Sequence, residues 1–180
     1  AYGGITEHQS TPGLQAAMKA GVRLINISPL KSDAINAQDW LAPRPGTDVA
    51  MMLGMAFELE TNNLADLEFL ASHSVGYERF RRYLLGLDDG QPKTPEWASV
   101  ICDVPAAEIA ALAHLAAKKR TFVSAAWSLQ RAHHGEQPYW MVVTLGAMLG
   151  GVGLPGQGFG FGYGAEGFIG SSWRRFNWAT

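Results

Sequence analysis

The sequence predicts an α/β domain, a parallel sheet in a three-layer arrangement with a helix-rich insertion and a Gly-rich C-terminal loop. Three observations carry this. A helix, a Gly stop and a strand follow one another near the start, a second strand returns much later, and several short helical segments lie between them. A chain of 180 residues can bury about 70% of its unfolded surface, enough for a core without disulfides or metal. Its composition, 47% hydrophobic and 17% charged, excludes a disordered tail. A net charge of −2 argues against nucleic acid as a partner. Cys102 is the only cysteine, so an internal disulfide, a Cys-rich zinc site and a self-contained iron–sulfur site are all excluded. No apolar run reaches the ~18 residues of a membrane span.

Residues 11–20 read as a helix with Thr11 as N-cap and Pro12 in the first turn. Gly21 closes it. Val22 to Ile27 alternates apolar and polar residues and reads as a strand that Pro29 ends. The turn Arg44-Pro45-Gly46-Thr47-Asp48 precedes a helix from Val49 to Leu59, with Val49, Met52, Leu53, Ala56 and Phe57 on one face and Thr47 or Asp48 capping its first turn. Four short helices follow, at 64–72, 77–85, 95–101 and 105–118, punctuated by Gly76, Gly86, Gly90, Pro92 and Pro105. Arg120 to Trp127 reads as the second strand and Gln137 to Leu149 as an apolar helix, after which the chain becomes Gly-rich loop. The start, Ala1-Tyr2-Gly3-Gly4, has neither the basic nor the apolar region of a signal peptide. The other end carries Trp173, Phe176 and Trp178 without an evident partner. Together the ends read as cut from a larger body.

Gly151-Val152-Gly153-Leu154-Pro155-Gly156 spells the G-x-G-x-x-G dinucleotide fingerprint, but in the wrong setting. That fingerprint needs a strand before it and a helix starting inside it, so that pyrophosphate meets the helix N-terminus. Here a helix precedes, and a Gly-Pro loop leaving a helix is the better reading. His133-His134-Gly135-Glu136 lacks the i, i+4 spacing that sets two zinc ligands on one helix face, so no metal site is assigned. Cys102 reads as a packed or partly exposed thiol.

Two other stretches carry more chemistry. The free N–H groups at the helix start after Arg44–Asp48 suit an anion. Alternatively, the Asp48 carboxylate accepts two N–H donors from a guanine edge while Arg44 neutralises phosphate. The loop from Ser28 to Asp33 lies beyond the end of the first strand, where open parallel sheets bind ligands, so the two loops are expected to converge on one nucleotide. The second stretch, Ala126 to Gln137, follows the other strand directly. It sets Trp, Arg, Gln and His side chains together between apolar elements.

In order, the chain shows "INISPL", "APRPGTDVAMMLGMAFEL", "PKTPEWA" and "AAWSLQRAHHGEQPYWMVVTLGAMLGGVGLPGQGFGFGYG". This resembles the middle of the dimethyl sulfoxide reductase family of molybdenum enzymes, in the branch of the trimethylamine N-oxide, dimethyl sulfoxide and biotin sulfoxide reductases. The resemblance implies two molybdopterin guanine dinucleotides on one molybdenum, reducing a small S-oxide or N-oxide by oxygen-atom transfer. It implies cofactor contacts at Ser28, Pro29, Arg44, Thr47, Asp48, Trp127, Gln130 and Arg131. Ser28-Pro29 stands where the family usually has Asp-Pro or Asn-Pro near the nucleotide ribose, so a hydroxyl replaces a carboxylate there. Trp127 and Arg131 are the pocket-side catalytic candidates, Trp127 as a wall and Arg131 as a fixed cation.

The metal ligand and the domain completing the second cofactor's site are implied to lie outside this chain. Its partner is then the remainder of the parent reductase, and the fragment alone is expected to be inactive. Family members occur in periplasm and cytoplasm, so the compartment stays open. The alternative is a stand-alone module that binds a guanine nucleotide or a partner without redox chemistry.

Overall fold

The computed structural model describes residues 11–34 and 37–161. In chain order the elements are α1 (Thr11–Lys19), β1 (Ile25–Ile27), β2 (Asp39–Leu41), α2 (Asp48–Thr61), α3 (Leu67–His73), α4 (Tyr77–Leu84), α5 (Pro95–Cys102), α6 (Ala106–Lys118), β3 (Phe122–Ser124), α7 (Gln137–Met148) and β4 (Gly158–Gly160). Short 3-10 turns cover Lys31–Asp33 and Trp127–Gln130. The α/β class with parallel strands is as the sequence predicts. The aromatic tail at 173–178, the first four residues and the side chain of Thr11 lie outside the described residues.

The strands form two parallel pairs among the described residues, β1 with β2 and β3 with β4. Both partners, β2 and β4, lie where the sequence shows no strand pattern, and β1 and β3 are shorter than their apolar runs. Pairing sets these lengths, because each partner offers only three residues in register, Ile25 opposite Asp39 and Phe122 opposite Gly158 at the start. Arg23 extends the first pair with a salt bridge to Asp39 at 2.6 Å. The Leu24 N–H donates to the Gln38 side chain at 2.8 Å. In the second pair α7 lies between β3 and β4, making a β–α–β unit in which residues 125–136 run from the carboxyl end of β3 into the helix.

The core sits around α2. The sequence predicts one apolar face, yet Ala50 to Ala56 is buried without interruption, Met51 and Met55 included. A helix apolar all round belongs inside a body rather than on its surface. Helices α5, α6 and α7 enclose it, with its own Leu59 fully buried and Ile109, Leu145, Met148 and Cys102 fully buried beside it. The Cys102 thiol is thus packed, not partly exposed. A Cβ at Gly54 would lie 2.8 Å from the Ala98 Cβ, 3.2 Å from Ile109 and 3.4 Å from the Pro95 backbone, so this glycine lets three helices approach.

Helix starts follow local chemistry. Asp66 accepts the Phe69 N–H at 2.9 Å and Thr94 accepts the Trp97 N–H at 3.2 Å, so both cap helices through their side chains. Gly54→Val is therefore expected to destabilise the fold by about 1–3 kcal/mol. Thermal unfolding should show Tm falling by roughly 2–4 °C per kcal/mol, and an unchanged Tm would contradict the close packing.

Candidate functional site

The turn before α2 is built by Gly46, whose φ of +78° suits glycine, and by the Thr47 N–H donating to the Arg44 carbonyl at 3.2 Å. The Thr47 hydroxyl also donates to that carbonyl, at 2.6 Å, so it does not cap α2 as expected. The turn itself brings this acceptor closer than the helix N–H groups. Asp48 stands at the first position of α2, partly buried. Burial pushes its carboxyl above the usual carboxylate range, opposed by a bond from its own backbone N–H.

Arg44 is committed elsewhere in part. Its Nε and Nη2 donate to the two Asp103 oxygens at 2.9 Å each, and its N–H donates to the Cys102 carbonyl at 2.8 Å. Asp103 closes α5 in the left-handed region, at φ +61°. The pair is exposed, so it fixes the turn against the end of α5 without contributing much stability.

The second wall comes from the segment after β3. Trp127, expected at the end of that strand, lies in the 3-10 turn Trp127–Gln130, with its ring 6.1 Å from that of Tyr139. The Tyr139 hydroxyl donates to the Ala126 carbonyl at 2.9 Å and accepts the Gln130 N–H at 3.3 Å, bracing the turn from α7. Gly135 is confined, because a Cβ there would overlap the Gln130 carbonyl. The Gln130 side chain and Arg131 are exposed. Arg131 makes no ion pair or hydrogen bond through its guanidinium to the described residues. The indole Nε1 of Trp127 is buried with no hydrogen-bond partner among the described residues.

These walls meet. A groove of about 640 Å³ is lined by Gly46, Asp48 and Val49 on one side and by Ser128, Leu129, Ala132–Gly135, Gln137 and Pro138 on the other. The structure thus joins Asp48 to the Ala126–Gln137 stretch. It does not bring the Ser28 loop into this groove. Ser28 is buried, its hydroxyl donates to Asp33 and accepts the Leu30 N–H at 3.2 Å, and Pro29 beside it is exposed. That hydroxyl does hold the Asp33 carboxylate at the end of β1. Arg44, Trp127, Gln130 and Arg131 flank the groove without lining it. His133, His134, Ser128 and Gln137 line it; the sequence marks them as members of the polar stretch 126–137 and does not name them as individual cofactor contacts.

A larger cavity, about 770 Å³, lies between the end of α2, α3 and α4. Its buried Glu60 is already bonded to Tyr77, at 2.6 Å, and to Arg81, which leaves little for a ligand. The Gly151–Gly156 fingerprint has α7 before it and β4 after it, so no helix starts within it. No single described helix is long and apolar enough to cross a membrane. No three metal-binding side chains gather among the described residues.

The chain is an α/β body with a groove beyond the end of a parallel strand, the place where open parallel sheets take their ligands. Residues 9–169 match the molybdopterin oxidoreductase family, and the chain belongs to it. It is 48% identical to a dimethyl sulfoxide/trimethylamine N-oxide reductase of Rhodobacter capsulatus over 88% of this chain and 20% of that protein. It is 45% identical to a biotin sulfoxide reductase of Cereibacter sphaeroides over 94% of this chain and 23% of that protein. With a trimethylamine-N-oxide reductase of Haemophilus influenzae the identity is 49%, over 80% and 18%. The chain therefore spans about a fifth of the length of these relatives. Among solved structures, acetylene hydratase from Pelobacter acetylenicus matches with a TM-score of 0.68 and 25% identity, over 78% of this chain and 19% of that one.

The Asp48 shift has a consequence for stability. A carboxyl whose folded pKa is raised binds more protons folded than unfolded, so stability falls as pH rises through and above the ordinary carboxylate range. Asp48→Asn removes that loss. Its stability gain over wild type should grow from acid to neutral pH in urea unfolding, whereas a difference independent of pH would contradict the burial of a charged carboxylate.

Proposed function

We propose that this chain is the molybdopterin guanine dinucleotide-binding domain of a reductase for S-oxides or N-oxides, and that its groove takes the guanine end of one cofactor. The observation that carries the reading is Asp48, a half-buried carboxylate at a helix start with no side-chain partner among the described residues, facing the polar loop after β3. The groove fits such a group on the chemistry of its donors and acceptors. Asp48 offers two oxygens to the paired N–H donors of a guanine edge, and Ser128, His133, His134 and Gln137 add polar groups to the wall opposite.

The other residues take supporting parts. Arg44, latched to Asp103, holds the turn that carries Asp48 and keeps one terminal nitrogen for phosphate. Thr47 stiffens the same turn. Gln130 and Arg131 leave the braced 3-10 turn pointing outward, where Arg131 presents a permanent cation to charge developing on a departing oxygen. Trp127 walls that side against water, and Ser28 with Pro29 and Asp33 belongs to a separate polar loop at the end of β1, toward the ribose. When bound, the molybdenum cofactor supplies the electrons that reduce the oxide. Two such cofactors share one molybdenum, whose protein ligand comes from outside this chain. The exposed Trp140 and Val100, 72% and 80% accessible, are surfaces for the remainder of the parent reductase.

Asp48→Asn in the full-length reductase tests the reading. A charge-assisted hydrogen bond is worth about 1.5–3 kcal/mol, so guanine nucleotide and molybdenum content should fall about ten- to hundred-fold under limiting cofactor. Wild-type loading would return Asp48 to a helix-start role. The 180-residue chain itself should fold yet fail to oxidise a reduced viologen with an S-oxide or N-oxide. Turnover by the chain alone would refute its standing as one part of a larger site.

A further inference from the structure

Asp103 stands where local chemistry disfavours it. It closes α5 at φ +61° and ψ 12°, in the left-handed region. Glycine takes that conformation at a helix end freely. Aspartate tolerates it better than most residues with a Cβ, but still under strain. Its charge is misplaced as well. The carboxyl end of a helix is partially negative, so it favours a cation over a carboxylate, and the last turn of α5 holds no basic residue. An aspartate here opposes both the backbone geometry and the helix dipole.

What the side chain does there is hold Arg44. The Nε and Nη2 of Arg44 donate to the two Asp103 oxygens at 2.9 Å each, the paired geometry in which a guanidinium meets a carboxylate. The Arg44 N–H donates to the Cys102 carbonyl at 2.8 Å, so one helix end grips both the backbone and the side chain of Arg44. The Arg44 carbonyl in turn accepts the Thr47 N–H at 3.2 Å and the Thr47 hydroxyl at 2.6 Å. The next residue is Asp48. Packing of α2 fixes where that helix starts, but the turn before it has no such support. Arg44 and Pro45 are exposed. Beyond its chain neighbours, no described atom lies within 4 Å of the space a Cβ would take at Gly46. Hydrogen bonds rather than packing hold the turn, and its Gly46 borders Asp48 in the groove.

We propose that Asp103 is a positioning residue for the groove. Through Arg44 it fixes the turn beside Asp48, so that the carboxylate stays open to a base. Asp103 itself does not line the groove, and an exposed ion pair contributes little stability. The proposal rests on the reading of Asp48 as the base-binding carboxylate and adds a residue, on another helix, on which that contact depends.

Glycine at position 103 separates positioning from structure. Asp103→Gly relieves the left-handed strain and takes a carboxylate away from the helix end, so the Tm of the 180-residue chain should not fall. A residue that only stabilised the fold would lower it. In the full-length reductase, guanine nucleotide content under limiting cofactor should nevertheless fall about five-fold or more. In the Asp48→Asn background the same substitution should cause no further fall, because the contact it serves is already lost. Full or higher loading of Asp103→Gly, beside reduced loading of Asp48→Asn, overturns the proposal and leaves the base contact standing. A lower Tm, or losses that add in the double variant, also overturns it, by assigning Asp103 to the fold or to another contact. Full loading of Asp48→Asn refutes the base contact, and the positioning role with it.

Discussion

Everything at the site depends on how deeply α2 is buried. From Ala50 to Ala56 the helix offers no residue to solvent, and Gly54 brings its backbone close enough that Ala98, Ile109 and Pro95 touch the space of a missing Cβ. A helix held on several sides cannot rotate or slide without opening the core. Its first residue is therefore fixed in place, and that residue is Asp48. The Arg44–Asp103 pair then ties the preceding turn to the end of α5. The packing that stabilises the fold is the packing that aims the carboxylate.

The opposite wall is fixed by different means. Three-residue strands are weak on their own, but β3 and β4 are joined through α7, whose Leu145 and Met148 are buried against the same core. The Tyr139 hydroxyl spans from α7 to the Ala126 carbonyl and the Gln130 N–H, so helix and loop move as one. The groove thus lies between two anchored elements, with the polar residues on short turns. Such a site is shaped before its ligand arrives, which lowers the ordering cost of binding.

The helices were legible because punctuation residues set their limits. Pro95, Pro105 and Pro138 stand at or beside the starts of α5, α6 and α7, and the observed ends fall within about two residues of those expected from pattern alone. Helix α3 starts later than its apolar run because Asp66 caps it by a side-chain bond that periodicity does not reveal. Strands β2 and β4 were illegible for a physical reason. Asp39-Trp40-Leu41 is too short to show alternation, and Gly158-Phe159-Gly160 has the composition of a loop, so both exist only through their partners. At the site, Asp48 and the Ala126–Gln137 stretch could be chosen from their chemistry. That His133 and His134 face Asp48 could not, since it depends on a left-handed His134 and a confined Gly135. Ser28 satisfies the expected polar loop after β1, yet its hydroxyl is engaged by Asp33 and its loop does not line the groove.

The central claim is that the half-buried carboxylate at the start of α2 receives the base of the cofactor. A crystal structure of the full-length reductase with its cofactors bound tests this most directly. The account predicts a guanine in the groove between Gly46 and Gln137, with two ring N–H donors about 2.7–3.1 Å from the Asp48 oxygens. A guanine seated elsewhere, with Asp48 facing only protein or water, would contradict it.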